Sequence, residues 1–123
     1  MSGNLYFSVQ FGVPLSESEQ SRLSQIIDEA NRHPLAGQSL AYGGELFGFF
    51  ADDLSTTQLD GSVGLPVELY AEDIDDFLVV VEHWLDLLAK LRANYSTGSW
   101  AVEIDGKELK FDAMKSSYVF GPG

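Results

Sequence analysis

Two histidines, 19 carboxylates and no cysteine set the chemistry open to this 123-residue chain. Without cysteine, nucleophilic thiols, thiolate metal sites and disulfides are all excluded. A catalytic triad or a zinc centre would have to use His33 or His83. His83 sits between Glu82 and Asp86, and carboxylates beside an imidazole raise its pKa. The competing reading is a solvated histidine on an acidic helix face. His33 falls at the end of a helical pattern, where the dipole stabilises a cation. No HExxH, Cys/His cluster or Gly-x-Ser-x-Gly elbow is present.

The carboxylates divide into two groups. Glu72, Asp73, Asp75 and Asp76 could hold a hard cation, but the calcium-loop spacing and its glycine are missing. Acids at a helix start also answer the dipole without any metal. Asp52 and Asp53, with Asp60, form a second acidic group in a polar loop. Gly43-Gly44 could cradle a phosphate. No lysine follows, however, and Glu45 would repel the anion, so a tight turn is the expected role. Phe47, Phe49, Phe50, Trp84 and Trp100 lack the flanking bases that nucleobase stacking requires, and are expected in the core. The expectation is a protein that is not an enzyme and uses no metal or other cofactor.

Charge carries the strongest compositional signal. Seven basic residues stand against 19 acidic ones, for a formal net charge of −12. The acids are segregated as well as abundant. No Lys or Arg occurs between Arg32 and Lys90, an interval holding eleven acids, and the rest of the chain holds 8 acids against 7 bases. Phosphate contacts need Lys and Arg, so direct nucleic-acid binding is disfavoured. An anionic membrane surface is disfavoured for the same reason. A basic protein partner is favoured, because a single-sign surface steers the opposite sign toward it. A cysteine-free chain with no basic-then-apolar leader pattern fits a reducing, cytoplasmic setting. The longest apolar run, residues 77–81, is far shorter than the ~20 residues of a membrane span.

The elements that position these residues can be read from periodicity. Leu5, Phe7, Val9, Phe11 and Val13 alternate with Tyr6, Ser8, Gln10 and Gly12, which predicts a half-buried strand with one wet or partner-facing side. Ser16 and Glu19 form a capping box for a helix over 16–32, with Leu23, Ile26, Ile27 and Ala30 as its core stripe. Pro34 ends that helix. Residues 35–41 are expected as a connection. Residues 40–51 are expected as a central strand covered on both faces, since Leu46, Phe47, Phe49 and Phe50 put bulk on both sides. Asp60-Gly61 reads as a turn. Residues 63–69 read as a short edge strand interrupted by Pro66. One long helix is expected over 71–95, with Ile74, Phe77, Leu78, Val81, Leu85 and Leu88 on its apolar stripe. Asp105-Gly106 between two alternating runs predicts a type I′ hairpin that sets Val102 opposite Leu109 and Trp100 opposite Phe111. The tail over 113–123 holds Tyr118, Val119 and Phe120, to pack as a short strand or hang free. The expected fold is a single α+β domain of order β-α-β-β-α-β-β. Two helices pack on one face of a mostly antiparallel sheet, a ferredoxin-like core with a C-terminal hairpin.

Several short features coincide in order. Phe7-Ser8-Val9, the capped helix start at Ser16, Leu40-Ala41-Tyr42-Gly43-Gly44 and the Trp84-Leu85 step together resemble the YggL family of small ribosome-associated proteins over residues 5–90. The resemblance implies a compact α+β fold and a ribosome-associated accessory role, and supplies no catalytic residues. From the residues themselves, the expectation is a non-catalytic acidic binding protein that masks a basic surface. Immunity proteins, antitoxins and phage-encoded inhibitors of nucleic-acid enzymes are of this class, and a toxin, nuclease or other nucleic-acid enzyme is the expected partner. The expected contacts are Asp52, Asp53, Asp60, Glu72, Asp73, Asp75 and Asp76. Reversing the charge of Asp73, Asp75 and Asp76 should then slow association with the basic partner and flatten its salt dependence in stopped-flow measurements.

Overall fold

The computed structural model describes residues 3–50 and 53–119. Asp52 and Phe120 lie outside the described residues. Strand β1 (Asn4–Gln10) buries Leu5, Phe7 and Val9 and turns Tyr6 and Gln10 to solvent, as the alternation predicts; Phe11 continues the buried row, whereas Val13 is exposed. Helix α1 (Glu17–Asn31) starts at the predicted capping box. The Glu19 backbone N–H donates to the Ser16 hydroxyl at 3.2 Å, and the Ser16 N–H donates back to the Glu19 carboxylate at 2.9 Å.

Pro34 does more than end α1. It occupies the first turn of α2 (Pro34–Ala41), where its missing N–H costs nothing, so the expected connection is a helix. His33 directly follows the C-cap of α1, as expected, and is also the N-cap of α2: its Nδ1 accepts from the Leu35 N–H at 3.1 Å. The expected strand over 40–51 shrinks to β2 (Gly48–Phe49) at the sheet edge, with Leu46 and Phe50 exposed. Phe47, just before it, is buried because the Asn31 side chain serves its backbone like a neighbouring strand. Asn31 donates to the Phe47 carbonyl at 2.9 Å and accepts from its N–H at 3.0 Å.

Strand β3 (Gln58–Gly64) runs straight through the predicted turn at Asp60-Gly61 and is an inner strand, not an edge. Pro66 then N-caps α3 (Val67–Glu72) instead of interrupting a strand. The long helix is α4 (Ile74–Asn94), separated from α3 by Asp73 alone. It buries Phe77, Val81, Leu85 and Leu88 of the predicted stripe, widened by Val80, Trp84, Leu87 and Leu91, whereas Ile74 is exposed and Leu78 only half-buried. Strand β4 (Ser99–Ile104) turns at Asp105 and Gly106, both at positive φ as a type I′ turn demands, into β5 (Lys107–Glu108). The Leu109 N–H donates to the Val102 carbonyl at 2.8 Å, but the chain then leaves the sheet, so Trp100 does not face Phe111. Phe111 instead joins a small hairpin of β6 (Phe111–Asp112) and β7 (Ser117–Tyr118), where it pairs with Tyr118. The tail is thus ordered as a hairpin as far as residue 119.

The main sheet is antiparallel in the order β2-β3-β1-β4-β5. The first four strands have ferredoxin-like order, β5 is the added strand, and the fold is α+β with four helices among the described residues where two were expected. Gly61 shows why an inner strand tolerates a glycine here. It pairs with Phe7, and a Cβ at this position would meet the Phe7 ring at 2.5 Å as well as the Gly48 carbonyl oxygen. Gly61→Ala should therefore destabilise the fold by about 1–3 kcal/mol, measured as a lower urea midpoint at unchanged slope.

Candidate binding surface

The acids expected to form one surface are distributed over three places. The loop after β2 meets the end of β1, where the Phe11 N–H donates to the Thr57 carbonyl. Asp53 lies in this loop, with its carboxylate pulled below its usual range by the Ser55 hydroxyl and then by the Ser55 N–H. Helices α3 and α4 begin at the opposite end of β1, where the Leu65 N–H donates to the Gly3 carbonyl. There Asp73 caps α4, accepting from the N–H groups of Asp75 and Asp76 at 3.1 and 3.2 Å. Glu72 closes α3 rather than opening α4. The ends of the seven-residue strand β3 are roughly 20 Å apart, so these two groups do not share a surface. Asp60 lies between them, within the strand. Among the described residues, no group of His or acidic residues is arranged to hold a metal ion.

Asp60 belongs to the side of the sheet that the helices leave uncovered. Strand pairing builds this face in rows: Ser62–Tyr6–Glu103–Glu108 and Asp60–Ser8–Ala101. Phe50, 68% exposed, stands beside Asp60, since its N–H donates to the Asp60 carbonyl at 2.8 Å. A shallow concavity of about 330 Å³ lies over Ser8, Gly61 and Ala101, walled by Tyr6, Phe50, Asp60, Glu103 and Glu108. Glu103 and Glu108 are directly opposite one another, an arrangement in which like charges repel. Lys107 pairs with buried Ile104 and so belongs to the other face, while Lys110 lies beyond the paired residues of β5. Among the described residues, the five strands place three carboxylates on the open face and no base.

Sequence reasoning singled out the wet side of β1 but not Glu103 and Glu108. The signal was available. The Asp-Gly turn that sets Val102 opposite Leu109 also sets Glu103 opposite Glu108.

The two histidines meet each other, His33 exposed and His83 half-buried. Their rings stack at 4.7 Å, and the His83 ring also lies 4.7 Å from that of Trp84. His83 Nε2 lies 3.0 Å from the Ala30 carbonyl, and a carbonyl can only accept, so this nitrogen carries a proton. Partial burial pushes the His83 pKa down, and the neighbouring His33 adds to this. The Ala30 carbonyl and Asp86 pull the other way without prevailing. Of the two readings of His83, the carboxylate-raised one is overturned, because desolvation outweighs Asp86, and the solvated one is corrected to a half-buried ring.

The chain matches no family model, and no curated protein or solved structure matches it significantly. Of the stretch carrying the YggL resemblance, Leu40 and Ala41 close α2, and Gly43 takes the positive φ of a turn.

The depressed His83 pKa has a definite sign in stability. The folded state favours the neutral ring, so its contribution is complete above the ordinary value of 6.5 and is lost as pH falls through the lower folded value. The urea midpoint should therefore fall between pH 7 and 5, and His83→Gln, which keeps an N–H for the Ala30 carbonyl, should flatten that slope.

Proposed function

We propose that this protein is a non-catalytic binding protein that covers a basic surface of a partner protein with the helix-free face of its sheet. One observation carries the reading: this face gathers Asp60, Glu103 and Glu108 from three strands around a shallow concavity and, among the described residues, carries no base on its strands. Helices α1 and α4 hold Arg22, Lys90 and Arg92, and Arg32 caps α1, so four of the seven bases lie on the helical layer. The helical layer is acidic too, with eleven acids on or capping α1, α3 and α4, so the open face is distinguished by having no base to repel a cationic surface rather than by more negative charge. Small acidic inhibitors of basic nucleases or toxins work by this chemistry, and it needs neither a cofactor nor a catalytic group.

Of the contacts expected from sequence, Asp60 stays at the centre of the reading. Asp53, Glu72, Asp73, Asp75 and Asp76 lie at the ends of the molecule and contribute to the long-range field. Affinity capture from host lysate, washed at low and then high salt, should retain a basic protein that salt releases. Against that protein, Asp60→Lys with Glu103→Lys should slow association about tenfold at low salt and reduce its salt dependence. Capture of no basic protein, or an association rate indifferent to these two reversals, would sink the reading.

A further inference from the structure

Resting on that reading, the geometry points to the kind of element that docks: we infer that the open face seats a basic amphipathic α-helix of the partner, with its cationic side chains over Glu103 and Glu108. The first argument concerns the edges. Both outer strands, β2 and β5, are only two residues long and cover β3 and β4 over part of their length, so each edge is broken into short offset pieces rather than one continuous strand. The open face is the larger surface left to a partner. The second is size. Four interstrand spacings separate β2 from β5, roughly 19 Å in all, and an α-helix with its side chains is about 10–12 Å across. Ser8, Gly61 and Ala101 keep the floor low between the walls, so a helix can approach the backbone closely.

Charge and apolar area then fix the helix's character. Glu103 and Glu108 repel each other in the free protein, and a Lys or Arg placed between them turns that repulsion into a shared ion pair. Tyr6, 41% exposed and paired with Glu103, offers a ring to the same cation. Phe50 gives the apolar side of the helix something to cover. A helix lying in the concavity presents its apolar flank to Phe50 on one wall and its cationic flank to the glutamate pair on the other.

The test uses two synthetic peptides of equal composition and charge. One carries Leu and Lys/Arg at amphipathic helical spacing, and the other is scrambled and interrupted by proline. The helical peptide should bind at least about tenfold more tightly, gain helicity in circular dichroism and shift the amide resonances of Ser8, Gly61 and Ala101. Glu103→Gln with Glu108→Gln should weaken it about tenfold while raising the protein's own thermal midpoint, a pairing of signs that damage to the fold would not give. Asp28→Asn with Glu29→Gln, exposed on α1 of the helical layer, should leave affinity within about twofold. Equal binding of both peptides, or shifts confined to residues 73–76, overturns the helix seat and leaves the broader acidic-binding reading standing. Failure of both peptides to bind overturns both.

Discussion

The architecture depends on one aromatic column. Phe7 of the central strand stacks on Phe47 at 4.1 Å with the ring planes 2° apart, and Phe47 lies 6.1 Å from Trp84 of the long helix. Three parts of the chain distant in sequence are thereby fixed to one another. Stacked aromatics add roughly 0.5–1.5 kcal/mol per pair beyond the area they bury. The column also carries a cost. The Trp84 indole N–H is buried and finds no hydrogen-bond partner among the described residues. Leaving such a donor unmade costs about 1–3 kcal/mol, which burial of the largest ring in the core offsets.

Much else follows from that column. Phe7 needs room on its side of the sheet, so the residue across from it must lack a Cβ, and Gly61 is that residue. Phe47 must be held without a full strand around it, and the Asn31 amide does this from the end of α1. With the apolar residues of β1, β3 and β4 committed to the helical side, their other side receives only what the core rejects. Those residues are small, polar or acidic, and they leave the sheet half covered.

The legible parts of the fold were those set by local rules. The capping box at Ser16, the stripe of α4 and the Asp-Gly hairpin each depend on residues within a few positions of one another, and each is found where periodicity places it. The errors came where a local signal served a distant contact. Asp60-Gly61 looks like a turn, but its glycine answers to Phe7, more than fifty positions away. Pro34 and Pro66 looked like breakers, yet each begins a helix, because proline is as well suited to a first turn as to a stop. His83 sits beside carboxylates in sequence, whereas burial governs its pKa and the fold brings Ala30 and His33 into contact with it. The acids were grouped by interval along the chain, and the sheet regrouped them by strand pairing. Asp60 shares a face with Glu103 and Glu108, which come from a hairpin whose register is legible at Val102 and Leu109 but not at Trp100 and Phe111.

The brevity of the two outermost strands also bears on how the molecule behaves among its own kind. An exposed sheet invites stacking of copies, and a long free edge invites fibrillar growth by strand addition. Here each outermost strand is two residues long and leaves a broken edge, and the strands of the open side carry carboxylates and, among the described residues, no base. Two copies brought together open side to open side would set carboxylate against carboxylate, so the half-bare sheet carries its own obstacle to stacking.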